Sequence, residues 1–374
     1  MSAEILCVVG ARPNLMKIAP IMRALAAAQR LPARLLHTGQ HYDADMNDQF
    51  FAALGIPSPH VNLQVGSGTH AVQTAEIMRR FEPVLDERRP AAVLVVGDVN
   101  STIACALVAV KKSIPVVHVE AGLRSFDRAM PEEINRVLTD QISDLLFTTE
   151  KGAAANLERE GIARSRVRFV GNVMIDTLHY SLQGAVPASE TFARHGAAAG
   201  FGAQGYAALT LHRPSNVDDE ETLRNLLQTL GEAARRLPVA FAMHPRTRAK
   251  VEQFGLQDLV AAPGMLLLPP LGYLEMLGLM RSAKVVLTDS GGLQEETTAL
   301  GVPCITLRES TERPITVDEG TNVIVGRDRG RILGALDEVL RTGGKTGRVP
   351  ELWDGRAAER IAAALHEWLQ EQNA

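Results

Sequence analysis

The sequence is poor in cysteine. Its 374 residues include three cysteines, Cys7, Cys105 and Cys304, and each stands alone inside an apolar segment. An odd number of isolated cysteines excludes a disulfide framework, and no cysteine–histidine cluster has the spacing of a structural zinc site. The pattern indicates buried thiols in a reducing compartment, so we expect a cytoplasmic protein.

Long apolar runs and a basic excess are also lacking. No run approaches the ~18 residues that a membrane span requires. The first run, residues 5–9 after Glu4, is too short for a signal peptide. The formal net charge of -4 excludes a broadly basic surface for nucleic acid, although it leaves room for a local phosphate pocket. We therefore expect neither a membrane nor a nucleic acid as partner.

The composition is otherwise that of a globular protein, 46% hydrophobic and 22% charged, and the chain is long enough for two domains. Short, wholly apolar runs alternate with amphipathic segments, which is typical of parallel strands buried on both faces. The alternation weakens at residues 171–205 and then resumes, so we predict two doubly wound α/β domains. Residues 355–370 form a predicted amphipathic helix. The predicted strands are residues 5–9, 34–37, 92–96, 116–119 and 145–148, then 206–211, 239–243, 265–268, 285–288, 304–307 and 322–325.

Polar residues follow the predicted strands of the first half, at the sheet edge where parallel sheets bind ligands. Residues 10–17 follow the first predicted strand and begin a helix. The N-terminus of that helix and the Arg12 side chain could bind an anion together. The alternative is a glycine turn with a solvated Arg12 and Lys17. Asp98 and Glu120 each come soon after an apolar strand.

A third carboxylate, Glu132, follows Pro131 at a predicted helix start. Each of these acids alone could simply cap a helix or complement its dipole. Together, Asp98, Glu120 and Glu132 would converge at one sheet edge, where crowded acids raise one another's pKa. That arrangement favours proton transfer. The spacing is not that of a metal site, and a divalent metal is the alternative.

The second half contains a strand, a glycine-rich turn and a helix start at residues 288–296. Ser290, Gly291 and Gly292 can present backbone N–H groups to a pyrophosphate. Glu296 lies farther along that helix and can reach a ribose diol. The segment has neither the dinucleotide fingerprint nor a P-loop.

Two histidines, His212 and His244, follow predicted strands of the second half, and each lies near an arginine. A lone histidine is usually structural, but two at equivalent strand ends indicate a site. There are more arginines near strand ends than one pyrophosphate needs, so some of them are structural. These arginines are Arg12, Arg213, Arg246 and Arg313.

These motifs together resemble the UDP-N-acetylglucosamine 2-epimerase family, from about residue 10 to residue 326. Their order along the chain carries the resemblance. The motifs are Arg12-Pro13 with Lys17, Gly97-Asp98, His118-Val119-Glu120-Ala121-Gly122-Leu123-Arg124, Pro131-Glu132-Glu133, Asn135-Arg136, His212-Arg213, Asp289-Ser290-Gly291-Gly292 and Thr311-Glu312-Arg313-Pro314.

The resemblance implies a GT-B type fold with two Rossmann-like domains and an active site in the interdomain cleft. The expected parts are an N-terminal domain with the catalytic carboxylates at 1–171, a UDP-binding domain at 172–354, and a C-terminal helix at 355–374 that crosses back to the first domain. The implied reaction is inversion at C2, giving UDP-N-acetylmannosamine, without NAD or metal. UDP leaves with loss of the C2 proton, 2-acetamidoglucal forms, and UDP adds back.

The resemblance also assigns roles to residues, and it suggests a homodimer. The implied catalytic residues are Asp98, Glu120, Glu132, His212 and Lys17. The implied substrate-binding residues are Arg12, Arg136, His244, Ser290, Gly291, Gly292, Glu296 and Arg313, with Glu296 on the ribose. Which carboxylate acts on which face of the sugar stays open.

The same residues are also compatible with other activities. A hydrolysing relative would release N-acetylmannosamine and UDP. A 2-epimerase could act on another UDP-sugar, such as a diacetamido uronic acid. A glycosyltransferase of the same fold would not need three carboxylates in the first domain, and a non-catalytic UDP-sugar sensor would not need Lys17 and His212 beside them.

Overall fold

A computed structural model describes residues 4–29, 31–40, 51 and 54–372 in two compact units. Unit 1 comprises Met1–Thr177 and Glu351–Ala374, and unit 2 comprises Leu178–Pro350. Each unit contains a parallel sheet whose strands alternate with helices. This confirms the predicted class of two doubly wound, Rossmann-like α/β domains.

The described sheet of unit 1 has seven parallel strands. They are β1 (Ile5–Val9), β2 (Ala33–His37), β3 (Val61–Asn62), β4 (Ala92–Val96), β5 (Val116–Ala121), β6 (Leu145–Thr148) and β7 (Val167–Phe169). Their order across the sheet is β3-β2-β1-β4-β5-β6-β7, so the winding reverses between β1 and β4. Ligands of open parallel sheets bind at the carboxyl ends of the strands beside such a reversal.

Helices connect these strands because a parallel pair needs a long crossover. Before unit 2, the described residues form the helices α1 (Arg12–Ala28), α2 (His70–Arg88), α3 (Asn100–Lys111), α4 (Pro131–Ile142), α5 (Lys151–Arg159) and α6 (Val173–Ser181), the last of which extends into unit 2. The helix α1 begins at Arg12, inside the segment 10–17 that was predicted to open a helix, because Pro13 is well suited to a first helical turn.

The described sheet of unit 2 has six parallel strands. They are β8 (Ala207–Thr210), β9 (Val239–Ala242), β10 (Met265–Leu268), β11 (Val285–Thr288), β12 (Cys304–Thr306) and β13 (Asn322–Ile324). Their order is β10-β9-β8-β11-β12-β13, which places the reversal between β8 and β11. The helices are α7 (Ala188–Arg194), α8 (Pro214–Val217), α9 (Glu220–Ala234), α10 (Pro245–Gln253), α11 (Gln257–Val260), α12 (Tyr273–Arg281), α13 (Gly291–Leu300), α14 (Pro314–Asp318) and α15 (Arg329–Thr342).

The predicted strands all occur, and their ends either match the prediction or differ from it by one or two residues. The sequence pattern missed β3 and β7, which are two and three residues long and lie at the two edges of the unit 1 sheet. Both are only partly buried, so they lack the wholly apolar run that marks a central strand.

The last helix, α16 (Ala357–Gln372), packs against α1 within unit 1. The carboxylate of Asp176 accepts hydrogen bonds from the first two N–H groups of α16, at 3.1 and 2.7 Å. Trp353, which precedes the helix, is buried and donates its indole N–H to the Thr149 carbonyl at 3.0 Å. An anion at a helix N-terminus satisfies donors that have no partner in the helix, so Asp176 helps to attach α16 to unit 1.

The three cysteines are all buried with free thiols, and burial raises the pKa of Cys304 to about 11.

None of the helices within the described ranges combines the length and apolar content that crossing a bilayer requires.

Candidate functional site

In unit 1, the predicted residues gather at the carboxyl ends of β1, β4 and β5. Gly97 directly follows β4 and has a φ of +66°, a conformation that glycine adopts without strain. A Cβ at this position would lie 3.0 Å from the Nζ of Lys17. The turn after β4 therefore needs a glycine, because the Lys17 ammonium group occupies the adjacent space.

Glu120 lies at an irregular point of β5. The pairing of β5 with β6 shifts register between Val119 and Ala121, and Glu120 has a φ of +74°, which non-glycine residues rarely adopt. Its carboxylate forms an ion pair with Lys17, with Nζ and Oε2 separated by 2.5 Å and the two side chains 11% and 3% exposed. The bulge thus directs a nearly buried carboxylate onto a lysine from α1.

Asp98 is held by Arg136 of α4. An Arg136 Nη1–H group donates to Asp98 Oδ2, and the Asp98 side chain is 23% exposed. The same guanidinium donates to Glu133 Oε2 from Nε and Nη2, at 2.9 and 2.7 Å. The amide of Asn135 donates to the Asp98 carbonyl at 2.9 Å. Asp98 is therefore fixed through both its side chain and its backbone.

Glu133 and Glu132 have different surroundings, although both lie in the first turn of α4. Glu133 is buried and also accepts the N–H groups of Ser125 and Phe126, at 3.0 and 2.9 Å. Burial alone would raise the pKa of Glu133, but these donors and Arg136 hold it below its usual value. Glu132 is only partly buried. Glu133 therefore anchors the loop before α4, which leaves Glu132 as the candidate for chemistry.

We expected the carboxylates of unit 1 to crowd one another. In the structure, Asp98 and Glu120 each have a cation as a direct partner, Arg136 and Lys17 respectively. Each of these two carboxylates therefore has a neighbouring cation that the sequence pattern did not indicate.

Arg12 begins α1, and its side chain lies outside the part of the structure that is described. Its near neighbour Asn14 is buried and was not among the expected site residues. Asn14 accepts the Ala11 N–H at 3.2 Å and donates to the Val96 carbonyl at 3.1 Å. It therefore joins the start of α1 to the end of β4, across the reversal point of the sheet.

In unit 2, Asp289 organises the residues after β8 and β11. It is fully buried and accepts hydrogen bonds from the backbone N–H groups of His212 and Arg213, at 3.0 and 2.9 Å, and from the Asn216 amide at 3.1 Å. The His212 Nδ1 lies 2.9 Å from Asp289 Oδ1. Burial alone would raise the pKa of Asp289, but His212 and the backbone donors bring it below its usual value.

His244 lies beside His212, with the two ring centroids 5.5 Å apart. Burial and the positive charge of His212 lower the pKa of His244 below its usual value. Its Nδ1 accepts the Arg246 N–H at 3.2 Å at the start of α10. The Arg246 side chain pairs with Asp218 on the exposed surface, so this arginine is one of the structural cations.

The helix α13 begins at the predicted glycine turn. Ser290 is its N-cap, and Gly291 and Gly292 form its first turn, where N–H groups have no acceptor within the helix. A Cβ on Gly291 would lie 2.6 Å from Glu312 Oε1, whereas a Cβ on Gly292 would meet nothing within 4 Å. This end of α13 therefore offers donors and open space, as an anion site requires.

Arg313 and Glu312 belong to a buried cluster of charges beside α13. The Arg313 Nε lies 2.8 Å from Glu295 Oε1. Glu312 pairs with Arg308 at 2.7 Å and with Arg213 at 3.4 Å. Burial would raise the pKa of Glu312, but Arg313, Arg308 and Arg213 bring it well below its usual value. Arg213 and Arg313 thus both have carboxylate partners within unit 2.

Glu296 is nearly buried in α13, and the Tyr273 hydroxyl donates to its Oε1 at 2.9 Å. Burial raises the pKa of Glu296 to about 7; Glu295 adds to the increase and the Tyr273 hydrogen bond opposes it. Burial and the neighbouring Glu296 raise the pKa of Tyr273 as well. Glu296 is therefore an acid that titrates near neutral pH.

No group of three or more His, Cys, Asp or Glu side chains in the described ranges is arranged to bind a metal ion. The two sites differ in charge. Unit 1 presents carboxylates paired with single cations. Unit 2 presents a helix start, two histidines and an arginine-rich cluster. The first arrangement suits proton transfer and the second suits a phosphate-bearing ligand.

Comparison with known proteins decides the family. A family model described as UDP-N-acetylglucosamine 2-epimerase matches residues 23–366. The chain belongs to the UDP-N-acetylglucosamine 2-epimerase family. It is 42% identical over 361 residues to the UDP-N-acetylglucosamine 2-epimerase of Methanocaldococcus jannaschii, covering 96% of this chain and 97% of that protein.

Another family relative acts on a different sugar. The chain is 41% identical over 368 residues to the UDP-2,3-diacetamido-2,3-dideoxy-D-glucuronate 2-epimerase of Pseudomonas aeruginosa, covering 97% of this chain and 99% of that protein. Among solved structures, it resembles the M. jannaschii UDP-GlcNAc 2-epimerase in complex with UDP-GlcNAc and UDP. That match has a TM-score of 0.86 at 40% identity and covers 97% of this chain and 99% of that one.

Glu133, Asp140 and Tyr273 were not selected from the sequence as site residues, although Arg136, which lies on the same face of α4 as Glu133 and Asp140, was. Glu133, Arg136 and Asp140 recur at helical spacing on the buried face of α4, where apolar residues are expected. That charged face was the available signal. Tyr273 gave none, because nothing in its neighbourhood along the chain points to Glu296.

Proposed function

We propose that this protein catalyses the reversible C2 epimerisation of UDP-N-acetylglucosamine to UDP-N-acetylmannosamine. UDP is eliminated together with the C2 proton, 2-acetamidoglucal forms, and UDP adds back with inverted configuration at C2. Family membership supports the reaction class. The observation that carries the assignment is the pair of cation-bound carboxylates, Glu120 with Lys17 and Asp98 with Arg136, at the carboxyl ends of the neighbouring strands β5 and β4.

In this proposal, unit 1 performs the proton transfers. Removing a weakly acidic C2 proton requires a positioned base, and re-protonation from the other face requires a second group. Asp98, Glu120 and Glu132 are the proposed acids and bases. Lys17 compensates the charge of Glu120, and Arg136 does the same for Asp98, so each carboxylate is held in place when the proton moves.

Unit 2 binds UDP in the proposal. The N–H groups of Gly291 and Gly292 and the cation Arg313 bind the diphosphate, with Ser290 and His244 beside it. The Ser290 N–H itself donates to Thr288 Oγ1 at 3.0 Å. Negative charge grows on UDP as the C1–O bond breaks, so these groups stabilise the transition state more than the ground state. Asp289 fixes the His212 ring through Nδ1, which leaves Nε2 for contact with the substrate.

Incubation of the protein with UDP-N-acetylglucosamine in D2O tests the elimination mechanism. The base that removes the C2 proton exchanges it with solvent, so both epimers recovered at equilibrium are expected to carry deuterium at C2. Proton NMR of the nucleotide sugars measures the label. Conversion to the N-acetylmannosamine epimer without deuterium would contradict an elimination.

The same reaction mixture separates the hydrolysing alternative, in which water captures the glucal. We expect free UDP and free N-acetylmannosamine to stay at trace amounts while the two UDP-sugars equilibrate. Stoichiometric release of UDP would identify the hydrolysing enzyme instead.

One observation supports a second candidate substrate, the UDP-diacetamido-glucuronate of the P. aeruginosa relative. The identity to the P. aeruginosa diacetamido-glucuronate epimerase, 41%, is close to the 42% found for the M. jannaschii enzyme. We propose UDP-N-acetylglucosamine as the substrate, because the family model carries that description. Measuring kcat/KM for both UDP-sugars decides between them, and a higher value for the uronic acid would reassign the substrate.

The ribose is proposed to bind Glu296, which gives a pH-dependent prediction. Because the pKa of Glu296 is raised to about 7, its carboxyl group is protonated below that pH and ionised above it. An ionised carboxylate is the stronger acceptor for ribose hydroxyls. The affinity ratio of UDP to 2′-deoxy-UDP is therefore expected to grow as the pH rises through about 7. Isothermal titration calorimetry measures both ligands.

Glu296→Gln is the control for this titration. It has no ionisable group, so its preference for UDP over the deoxy analogue should stay constant with pH. A wild-type preference that is equally flat would remove Glu296 from the ribose site. The diphosphate titrates in the same way in both ligands and cancels from the ratio.

We further propose that the enzyme works in the cytoplasm as a homodimer that uses no cofactor. The free, buried cysteines support a reducing compartment. Light scattering of the purified protein measures the oligomeric state.

A further inference from the structure

His118 and Asp140 form a fully buried pair beneath the carboxylates of unit 1. His118 Nδ1 lies 2.7 Å from Asp140 Oδ1, and both side chains are 0% exposed. The other ring nitrogen, Nε2, donates to the Gly97 carbonyl at 2.8 Å. The imidazole therefore joins Asp140 to the residue that directly precedes Asp98.

The other oxygen of Asp140 reaches the far side of the site. Oδ2 accepts the Gly122 N–H at 3.0 Å, two residues after Glu120. It also pairs with Arg124 at 2.7 Å, and Arg124 in turn binds Glu160. One buried carboxylate is thus bonded to the backbone after Glu120 and, through His118, to the backbone before Asp98.

Both ends of this connection hold unusual backbone. Gly97 and Glu120 have φ values of +66° and +74°. A non-glycine residue keeps such a conformation only where its surroundings hold it. Gly97 also donates its N–H to the Val119 carbonyl at 3.1 Å, so the turn and the bulge are directly joined.

We propose that His118 and Asp140 are positioning residues that set the separation of the Asp98 and Glu120 carboxylates. This inference rests on the proposed function, in which those two carboxylates move protons at C2 of the sugar. Neither His118 nor Asp140 touches the substrate, because both are enclosed by protein. Proton transfer depends steeply on the placement of donor and acceptor, so releasing this connection slows chemistry while UDP binding, assigned to unit 2, is retained.

The test compares Asp140→Ala with Glu160→Ala. Both variants remove a carboxylate partner of Arg124, but only Asp140 is bonded to the Gly122 N–H and to His118. We expect Asp140→Ala to lower kcat by about 100-fold with KM and the UDP dissociation constant close to wild type. Glu160→Ala, whose side chain is 27% exposed, should keep a wild-type kcat.

Rescue by Asp140→Asn separates positioning from charge. The amide can donate to His118 Nδ1 and still accept the Gly122 N–H, so most of the lost kcat should return. His118→Phe is the second variant, in case Asp140→Ala does not fold. Its ring has no hydrogen-bonding atom, so it joins neither Gly97 nor Asp140, and kcat should fall while UDP binding, measured by calorimetry, persists.

The results that would contradict the positioning role differ from the result that would contradict the proposed function. Wild-type kcat in a folded Asp140→Ala or His118→Phe variant would overturn the positioning role. An equal loss of kcat in Glu160→Ala would also overturn it, because the cluster would then act only as scaffold. A wild-type protein that epimerises no UDP-sugar would instead contradict the proposed function.

Discussion

Asp98→Asn is expected to lower kcat by about 10³-fold while leaving the affinity for UDP close to that of the wild type. The amide has the shape of the carboxylate and can still accept a hydrogen bond from Arg136, so the local structure is preserved. It cannot take up or deliver a proton at C2. Initial rates of epimerisation give kcat, and calorimetry gives the UDP dissociation constant.

Asp86→Asn is the matched control for this variant. Asp86 also pairs with a cation, Lys112, at 2.6 Å, but its side chain is 61% exposed. A surface ion pair contributes at most about 1 kcal/mol, so this variant should keep wild-type activity. Near-normal turnover in Asp98→Asn would remove Asp98 from the catalytic set, and an equal loss in both variants would indicate a general effect of the substitution.

Gly278→Ala is expected to destabilise unit 2 by about 3 kcal/mol. Gly278 lies in α12, where a Cβ would fall 1.7 Å from the carbonyl oxygen of Val186. The obstacle is backbone, and Val186 is itself held by a hydrogen bond from its N–H to the Leu274 carbonyl, at 3.0 Å. The chain segment before α7 would have to move away from α12. The midpoint of denaturant unfolding, followed by circular dichroism, measures the loss.

Gly334→Ala makes the same change in another helix of unit 2 and should have the opposite sign. Gly334 is exposed in α15, and a Cβ there would meet nothing within 4 Å. Replacing an unstrained helical glycine by alanine stabilises by about 0.5–1 kcal/mol. If both variants lowered the midpoint equally, close packing at Gly278 could not be the reason.

Strands that are apolar throughout could be predicted from the sequence, and they include β10 at one edge of the unit 2 sheet. Residues 5–9, 92–96, 145–148, 265–268 and 285–288 form strands with the predicted ends. The edge strands β3 and β7 could not be predicted, because they are only two and three residues long and contain the polar residues Asn62 and Arg168. Chain connectivity between strands then followed from the general preference of parallel sheets for helical crossovers.

The position of the candidate site in unit 1 could be predicted as well as the strands that end there. The ion pairs within the site could not be predicted. Asp98 and Glu120 are placed by the ends of β4 and β5, which the apolar runs indicate. Their pairing with Arg136 and Lys17 depends on how α4 and α1 lie against the sheet. No local sequence pattern can predict these pairs, because Asp98 and Arg136 are 38 residues apart along the chain and Lys17 and Glu120 are farther apart still.

The left-handed conformation of Glu120 was also beyond the sequence pattern. Glutamate has no preference for a positive φ, so the conformation is imposed by the register shift between β5 and β6. A residue whose backbone is set by tertiary structure in this way escapes any rule based on propensity.

The division of the chain into units has a consequence for biosynthesis. Unit 2 is one continuous stretch, Leu178–Pro350, whereas unit 1 is made of Met1–Thr177 and Glu351–Ala374. On the ribosome, the unit that starts first is therefore completed last, after the whole of unit 2 has been translated. Until then, the face of α1 that α16 covers has no partner from the same chain, and Asp176 has no helix start to cap. A gene encoding residues 178–350 alone specifies every strand of its sheet, but no uninterrupted gene fragment ending before residue 351 specifies all of unit 1.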